Sequence, residues 1–192
     1  ISLTYGNDFN ISNIKNSREI LSVKFANNIR LKENEDLPKI NQLSAKTSNF
    51  FGEISYNPNN FLTTKYNFST KNNFYDVNYE NLEAKLKINN FVTKFDYLNE
   101  NNSLEKNSYL LNQTSYEFDE YNNISFSTRH NKKTNLTESY NLIYQYKNDC
   151  LKASLEYNKD YYNDRDIKPD ESIFFKITFV PLGQTSTPNL KQ

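Results

Sequence analysis

Apolar and polar side chains alternate along most of this chain with a period of two residues. Leu151, Ala153 and Leu155, for example, alternate with Lys152 and Ser154. Successive side chains of a β-strand point to opposite faces of a sheet, so this period predicts strands with one apolar and one polar face. Eleven strands are predicted in this way: Ser2–Phe9, Glu19–Leu31, Ser48–Asn57, Phe61–Lys71, Phe74–Lys87, Phe91–Glu100, Lys106–Phe118, Tyr121–Asn131, Thr134–Lys147, Cys150–Tyr162 and Ser172–Val180.

The lengths of these strands and of their connections favour a membrane protein. Most of the strands have about nine to fourteen residues; a tilted strand needs about 9–11 to cross a bilayer, and soluble sheets use about five or six. Alternate connections are short, near 57–60, 88–90, 119–120 and 148–149, and the others include the longer segments 32–47, 101–105 and 163–171. Short turns on one side and longer loops on the other are typical of outer-membrane barrels. The pattern predicts an all-β fold, an antiparallel up-and-down transmembrane β-barrel to which this chain contributes about ten or eleven strands.

Parity along each predicted strand assigns side chains to two faces. The outward, lipid-facing set is expected to include Phe95, Leu142, Tyr144, Leu155 and Tyr157, and the set facing the lumen Lys94, Lys152 and Glu156. Side chains this polar do not form a packed apolar core inside a small barrel. We therefore expect a wide barrel whose lumen holds water or another protein. A sheet with one face on a soluble core has the same alternation. A soluble β-sandwich interaction module therefore remains an alternative, beside a porin or an adhesin-type barrel.

Composition narrows the class of protein further. The 192 residues include 15 Tyr and 14 Phe but no Trp and 3 Gly, an aromatic content that disagrees with disorder. The mean hydropathy of −0.87 and the absence of any apolar run near 18 residues argue against membrane-spanning helices. The 23 basic and 23 acidic residues balance, so a nucleic-acid partner is not expected.

Candidate residues for catalysis or metal binding are few. His130 is the single histidine, and a transition-metal site would need further ligands. The sequence contains neither a nucleophile elbow nor a glycine-rich phosphate loop. Charged residues gather between Asp160 and Glu171, where we favour a solvated loop over a divalent-cation site. The sequence predicts that the chain is not an enzyme and uses no metal or cofactor.

The last strands follow a specific order of elements. Cys150 opens the penultimate strand, a charged loop runs from Asn163 to Ser172, and a final aromatic strand ends in Leu182-Gly183. This order resembles the C-terminal end of the LptD family, the outer-membrane translocons that assemble lipopolysaccharide. The resemblance is specific in this hairpin and looser over residues 19–147, where the spacing of the strands carries it.

The resemblance implies a location, a function and partners. It makes residues 1–183 the C-terminal part of a large barrel in the outer membrane of a Gram-negative cell and residues 184–192 a short polar tail. Lipopolysaccharide would arrive from a periplasmic Lpt bridge through a domain upstream of residue 1 and would leave sideways through a seam of the barrel. The resemblance also implies an LptE-like lipoprotein plug in the lumen, and the barrel-insertion machinery as a partner during assembly.

Two candidate sites come with the resemblance. Cys150 is the only cysteine, and its counterpart in the family forms a disulfide with the periplasmic domain; the alternative is a tolerated free thiol. The last strand would form one side of the lateral gate through an apolar stripe of Ile173, Phe175, Ile177 and Phe179. Pro181 would end the pairing at the seam because proline lacks a donor N–H.

Overall fold

A computed structural model describes residues 1–37, 39, 42–72, 74–101, 106–161, 169–179, 183–186 and 190–191. These residues form β-strands and the turns between them, and none lies in an α-helix. No helix in this part of the chain is long and apolar enough to cross a membrane.

Eleven long strands form one antiparallel sheet in which each strand pairs with its neighbours in sequence. They are β1 (Ser2–Ser12), β2 (Glu19–Arg30), β3 (Phe50–Tyr56), β4 (Leu62–Thr70), β5 (Val77–Ile88), β6 (Phe91–Asn101), β7 (Lys106–Glu117), β8 (Asn122–Asn131), β9 (Leu136–Lys147), β10 (Leu151–Asp160) and β11 (Asp170–Phe179). Two short strands, β12 (Gly183–Ser186) and β13 (Leu190–Lys191), both pair with β11. The predicted all-β class, strand number and up-and-down order are confirmed; the sheet itself is not closed.

Asn and Asp side chains build the tight turns between these strands. In each of four turns, one side-chain oxygen accepts the backbone N–H groups two and three residues later. The acceptors are Asn59, Asp119, Asn131 and Asn148. This Asx geometry satisfies backbone donors at the point where the chain reverses, which gives the abundant Asn of the sequence a structural role.

The predicted short connections are confirmed, but of the three predicted long connections the one at 101–105 is not long: the interval between β6 and β7 is 102–105, with as many residues as the short turn 118–121. The intervals after β3, β5, β7 and β9 are short, at 57–61, 89–90, 118–121 and 148–150. Those after β2 and β10 are much longer, at 31–49 and 161–169. Asn89 adopts a positive φ of 49° in the tightest of these turns, a backbone region that Asn tolerates better than most residues.

Several strand ends differ from the prediction. Cys150 lies in the turn before β10 rather than at the start of the strand, because its N–H is bonded to the Asn148 side chain at 3.0 Å. Phe74 precedes β5 with a φ of 61°, which is incompatible with an extended strand. β1 continues to Ser12. The predicted boundary at 183/184 falls within β12, so part of the predicted tail pairs with β11.

The chain divides into two compact units. Unit 1 contains residues 1–85 and 96–109, and unit 2 contains residues 86–95 and 110–192. Neither unit has a hydrophobic core among its described residues: the buried side chains are polar throughout, and no apolar residue is buried. This inverts the arrangement of soluble globular proteins, in which Ile, Leu, Val and Phe are the residues most often buried.

Candidate functional site

Unit 2 carries two continuous rows of apolar side chains across four adjacent strands. The residues of a row are register partners and therefore lie on one face of the sheet. One row is Ile124, Tyr144, Leu155 and Phe175, and the next is Phe126, Leu142, Tyr157 and Ile173. We call this surface the apolar face of unit 2. The predicted outward positions Leu142, Tyr144, Leu155 and Tyr157 share this face.

Six of the eight large side chains of this face are exposed, and Ile124 and Tyr157 are half-buried. Leu155 is 49% exposed, Phe175 44% and Tyr144 43%, and Leu142 and Ile173 are similar. Exposed apolar side chains are unremarkable singly, whereas a contiguous patch marks a surface that contacts a partner or a membrane. The rows make such a patch across β8 to β11.

The opposite, polar face of unit 2 holds the buried residues. One row consists of Asn123, Gln145, Ser154 and Lys176, and a second of Ser127, Asn141, Asn158 and Ser172. Ser154 is 5% and Ser172 7% exposed, and the Asn141 amide donates to the Asn158 side chain. The predicted lumen residues Lys152 and Glu156 lie on this face, together with the apolar exceptions Ile143 and Phe174.

Unit 1 repeats the division into two faces with a denser aromatic cluster. Its apolar face contains the row Phe9, Val23, Ile54 and Tyr66 across β1 to β4. In the adjacent row, Gly52 lies between Phe25 and Phe68, and a Cβ on Gly52 would collide with the Phe68 ring. Phe50 stacks on Phe25 with ring centroids 5.6 Å apart. Because Gly52 has no side chain, the Phe68 ring can lie in the space that a Cβ at position 52 would fill.

The polar face of unit 1 carries paired charges. Glu53 accepts from Lys65 at 2.9 Å and lies 3.5 Å from Lys24. Beside this triad, a cleft of about 600 Å³ is lined by Ala26, Phe51, Glu53, Asn67, Ser69, Tyr79 and Glu100, among others. Ser22 and Ser69 on the same face are each 2% exposed. The polar face of unit 1 therefore has small buried serines beside an open cleft, and one carboxylate that is shared by two ammonium groups.

Cys150 is an exposed free thiol. It lines a shallow pocket of about 340 Å³ together with Tyr121, Tyr146, Asn148 and Asp149. The Asn148 turn presents the thiol outward, where a second chain segment can reach it. Its predicted disulfide stays a prediction.

The final long strand carries the predicted gate stripe. Ile173 and Phe175 belong to the apolar face of unit 2, and Ile177 and Phe179 are register partners of Ala153 and Leu151 on that same face. The outer edge of β11 is occupied: β12 pairs with positions 176–179, and β13 with 172–173. Pro181 and most of the predicted charged loop, 163–171, lie outside the described residues.

The ionisable side chains of the described ranges include no cluster of metal ligands. No group of three or more His, Cys, Asp or Glu residues there could hold a metal ion. The His130 Nδ1 is 3.1 Å from the Thr137 hydroxyl, an ordinary cross-strand contact. In the turn before β8, hydrogen bonds from the Asn122 amide and the Tyr121 backbone N–H hold the pKa of the Asp119 carboxyl below its usual range.

Sequence reasoning missed two arrangements that depend on strand register. Lys147 and Lys152 are direct register partners on the polar face of unit 2, with Lys176 diagonally adjacent. The stacking of Phe68 over Gly52 is the second. Counting residues outward from the turn at Asn148 would have revealed the lysine pair.

The chain matches no protein-family profile and no curated protein sequence.

Proposed function

We propose that this chain forms part of an outer-membrane β-barrel whose apolar face contacts lipid and whose polar face lines the interior. The observation that carries the proposal is the inverted burial. Across β8 to β11, six of the eight side chains in the two apolar rows are exposed, whereas the buried side chains of these strands are Glu138, Ser154 and Ser172. Transmembrane barrels alternate apolar residues towards lipid with polar residues towards the lumen.

The energetics favour a non-aqueous environment for the exposed face. Complete burial of one Leu, Ile or Phe side chain is worth about 1.5–3 kcal/mol. Leu155 and Phe175 keep nearly half of their surface exposed, so the isolated sheet gains only part of this stabilisation. Hydrocarbon would supply the rest without a second protein layer.

The backbone supports the same environment. An up-and-down meander satisfies the hydrogen bonds of every interior strand within the sheet, and a bilayer tolerates only structures with this property. The exceptions are the two ends of the sheet, β1 and β12: among the described strands β1 pairs with β2 alone, and β12 with β11 alone. The proposal therefore includes a further strand beside β1 that helps to close the barrel.

The proposed transport function is that of an LptD-type lipopolysaccharide translocon. Its support is the resemblance of the segment around Cys150, the loop 163–172 and Leu182-Gly183. In this proposal lipopolysaccharide arrives from the periplasmic Lpt bridge, an LptE-like lipoprotein fills the lumen, and the barrel-insertion machinery assembles the barrel. Release would occur at a seam formed by β11.

The pairing of β12 and β13 adds a condition to the gate proposal. Both short strands occupy the edge of β11 that the seam would use. They must leave this edge before another strand can pair along its full length. Removal of residues 183–192 should therefore favour closure of the seam.

A membrane extraction experiment tests the general proposal. The protein in isolated membranes should resist a wash with concentrated urea and should be released by a mild detergent. Release by urea alone would contradict a membrane-embedded sheet.

A cross-linking experiment tests the transport function separately. A cysteine replacing Ile177 would be linked to one in the first strand of the assembled barrel, and lipopolysaccharide export should stop. As a control, a Phe126–Leu142 cysteine pair links β8 and β9, which are already neighbours, and should leave export unchanged. Normal export through a locked seam would contradict the gate.

A further inference from the structure

Three lysines come together on the polar face of unit 2 near the turn that joins β9 and β10. Lys147 and Lys152 are direct register partners, and Lys176 lies one row further on β11, opposite Ser154. Directly opposed residues of antiparallel strands have Cα atoms about 4.5–5.5 Å apart, and diagonal neighbours are within reach of long side chains. The fold therefore concentrates three ammonium groups within two adjacent rows.

The lack of carboxylate partners sets this cluster apart. Lys24, Lys65, Arg129 and Lys159 each lie 2.9–3.5 Å from a Glu oxygen. Neither Lys147 nor Lys152 nor Lys176 makes an ion pair with any residue that the structure describes. Like charges directly opposite each other destabilise a sheet, so the arrangement has a cost that no contact within the described chain offsets.

The cluster borders a small pocket whose lining residues are all polar or charged. Lys152, Lys176, Ser154, Thr178, Gln145 and Glu156 line it, and its volume is about 100 Å³. Water takes up about 30 Å³ per molecule in the liquid, so the pocket has room for a small oxyanion and none for an acyl chain. Ser154, 5% exposed, is the most buried residue of this lining and lies between its register partners Gln145 and Lys176.

The acidic groups near the pocket do not neutralise it. Glu156 accepts a hydrogen bond from the Ser154 hydroxyl at 3.0 Å and faces the pocket from the next row. Asp149 lies in the turn beside Lys147. Lys152 and Lys176 in the lining, with Lys147 beside them, leave a positive balance against Glu156, and the Thr178 hydroxyl and the Gln145 amide are further donors in the lining.

We propose that this pocket binds a phosphate group, held by Lys152 and Lys176 and hydrogen-bonded by Thr178 and Gln145, with Lys147, the register partner of Lys152, as a neighbouring positive charge. Ammonium groups bind phosphate as point charges and do not need the planar geometry of arginine. The group could belong to a free phosphate ion or to a phosphorylated lipid headgroup that passes along the polar face. The inference depends on the register of β9 to β11 and not on the transport function proposed above.

The test is a titration of the full chain, in an uncharged detergent, with inorganic phosphate at constant ionic strength. Backbone amide shifts should change at residues 145–154 and 176–178. Lys152→Gln and Lys176→Gln should each weaken binding about fivefold, the size expected for one partly exposed ion pair. Glu156→Gln should tighten it, because an adjacent negative charge is lost.

A matched control distinguishes phosphate binding at this pocket from a general attraction of phosphate to the positive charges of the protein. Lys133→Gln removes the same charge from a turn of the same unit and should leave phosphate binding unchanged. A second titration uses micelles doped with a phosphomonoester lipid: competition with inorganic phosphate assigns the lipid headgroup, and lack of competition assigns the free ion. The proposal is overturned if neither ligand shifts these amides, or if Lys133→Gln weakens binding as much as Lys152→Gln.

Discussion

The two faces of β10 differ in what they bury and in what they expose. Leu155 points to one face and is 49% exposed, whereas its chain neighbour Ser154 points to the other and is 5% exposed. In a soluble protein the larger and more apolar of the two would be the buried one. This sheet therefore buries residues of its polar face and exposes residues of its apolar face, and the proposed function takes the medium at the apolar face to be lipid.

The largest effect that tests this comparison comes from a charge on the apolar face. Leu155→Lys should destabilise the protein in a bilayer by about 2–4 kcal/mol, the cost of a lysine at the lipid-facing midplane of a barrel. The matched change Glu156→Lys, one residue along on the polar face, should cost much less. Urea titration of the folded protein in lipid vesicles measures both. Equal losses at the two positions would mean that the faces do not differ in environment.

Packing within the apolar face provides a second test. Gly52→Val should destabilise the protein by about 1–3 kcal/mol, the range for overpacking, because the new side chain meets the Phe68 ring. Phe68→Ala combined with Gly52→Val should recover part of the loss relative to the sum of the single changes. A double mutant cycle in the free energy of unfolding shows this coupling. If the two losses in the free energy of unfolding were strictly additive, the Phe68 ring would not contact position 52.

Charge pairing on the polar face should have a smaller effect. Glu53→Gln removes the shared partner of Lys24 and Lys65, and these side chains are 30–50% exposed. Exposed pairs contribute at most about 1 kcal/mol each and are weakened by salt. We expect a loss below about 1 kcal/mol that shrinks as salt is added. Glu33→Gln, at an exposed position in the loop 31–49, is the control and should change nothing.

The smallest expected effect on stability comes from Asp119, which lies in the turn before β8 and on neither face of the sheet. The lowered pKa of Asp119 means that its ionised form stabilises the folded turn at pH values above the carboxyl pKa of the unfolded chain. This contribution is lost as the pH falls through the lowered folded pKa. The amide resonances of Tyr121 and Asn122 should follow this titration, and Asp119→Asn should abolish it. A midpoint at or above the ordinary Asp value would contradict the hydrogen bonds.

The alternation along β11 was sufficient to predict both its strand and its faces, because period two is a local property of the sequence. The position of Cys150 was not predictable in the same way, since the Asn148 side chain draws residue 150 into a turn. The predicted strand Phe74–Lys87 begins three residues before β5, because the positive φ of Phe74 places that residue in the preceding turn. The lysine cluster follows from the register of three paired strands, and the sequence of one strand does not determine that register.

Two adjacent residues of β11 can show whether the apolar face meets lipid. Phe175 lies on the apolar face and Phe174 on the polar face, and the chain contains no Trp. Phe175→Trp and Phe174→Trp each introduce a single tryptophan into the protein in vesicles that contain lipids brominated along their acyl chains. We predict strong quenching of the fluorescence at 175 and little at 174. Equal quenching, or stronger quenching at 174, would contradict the account.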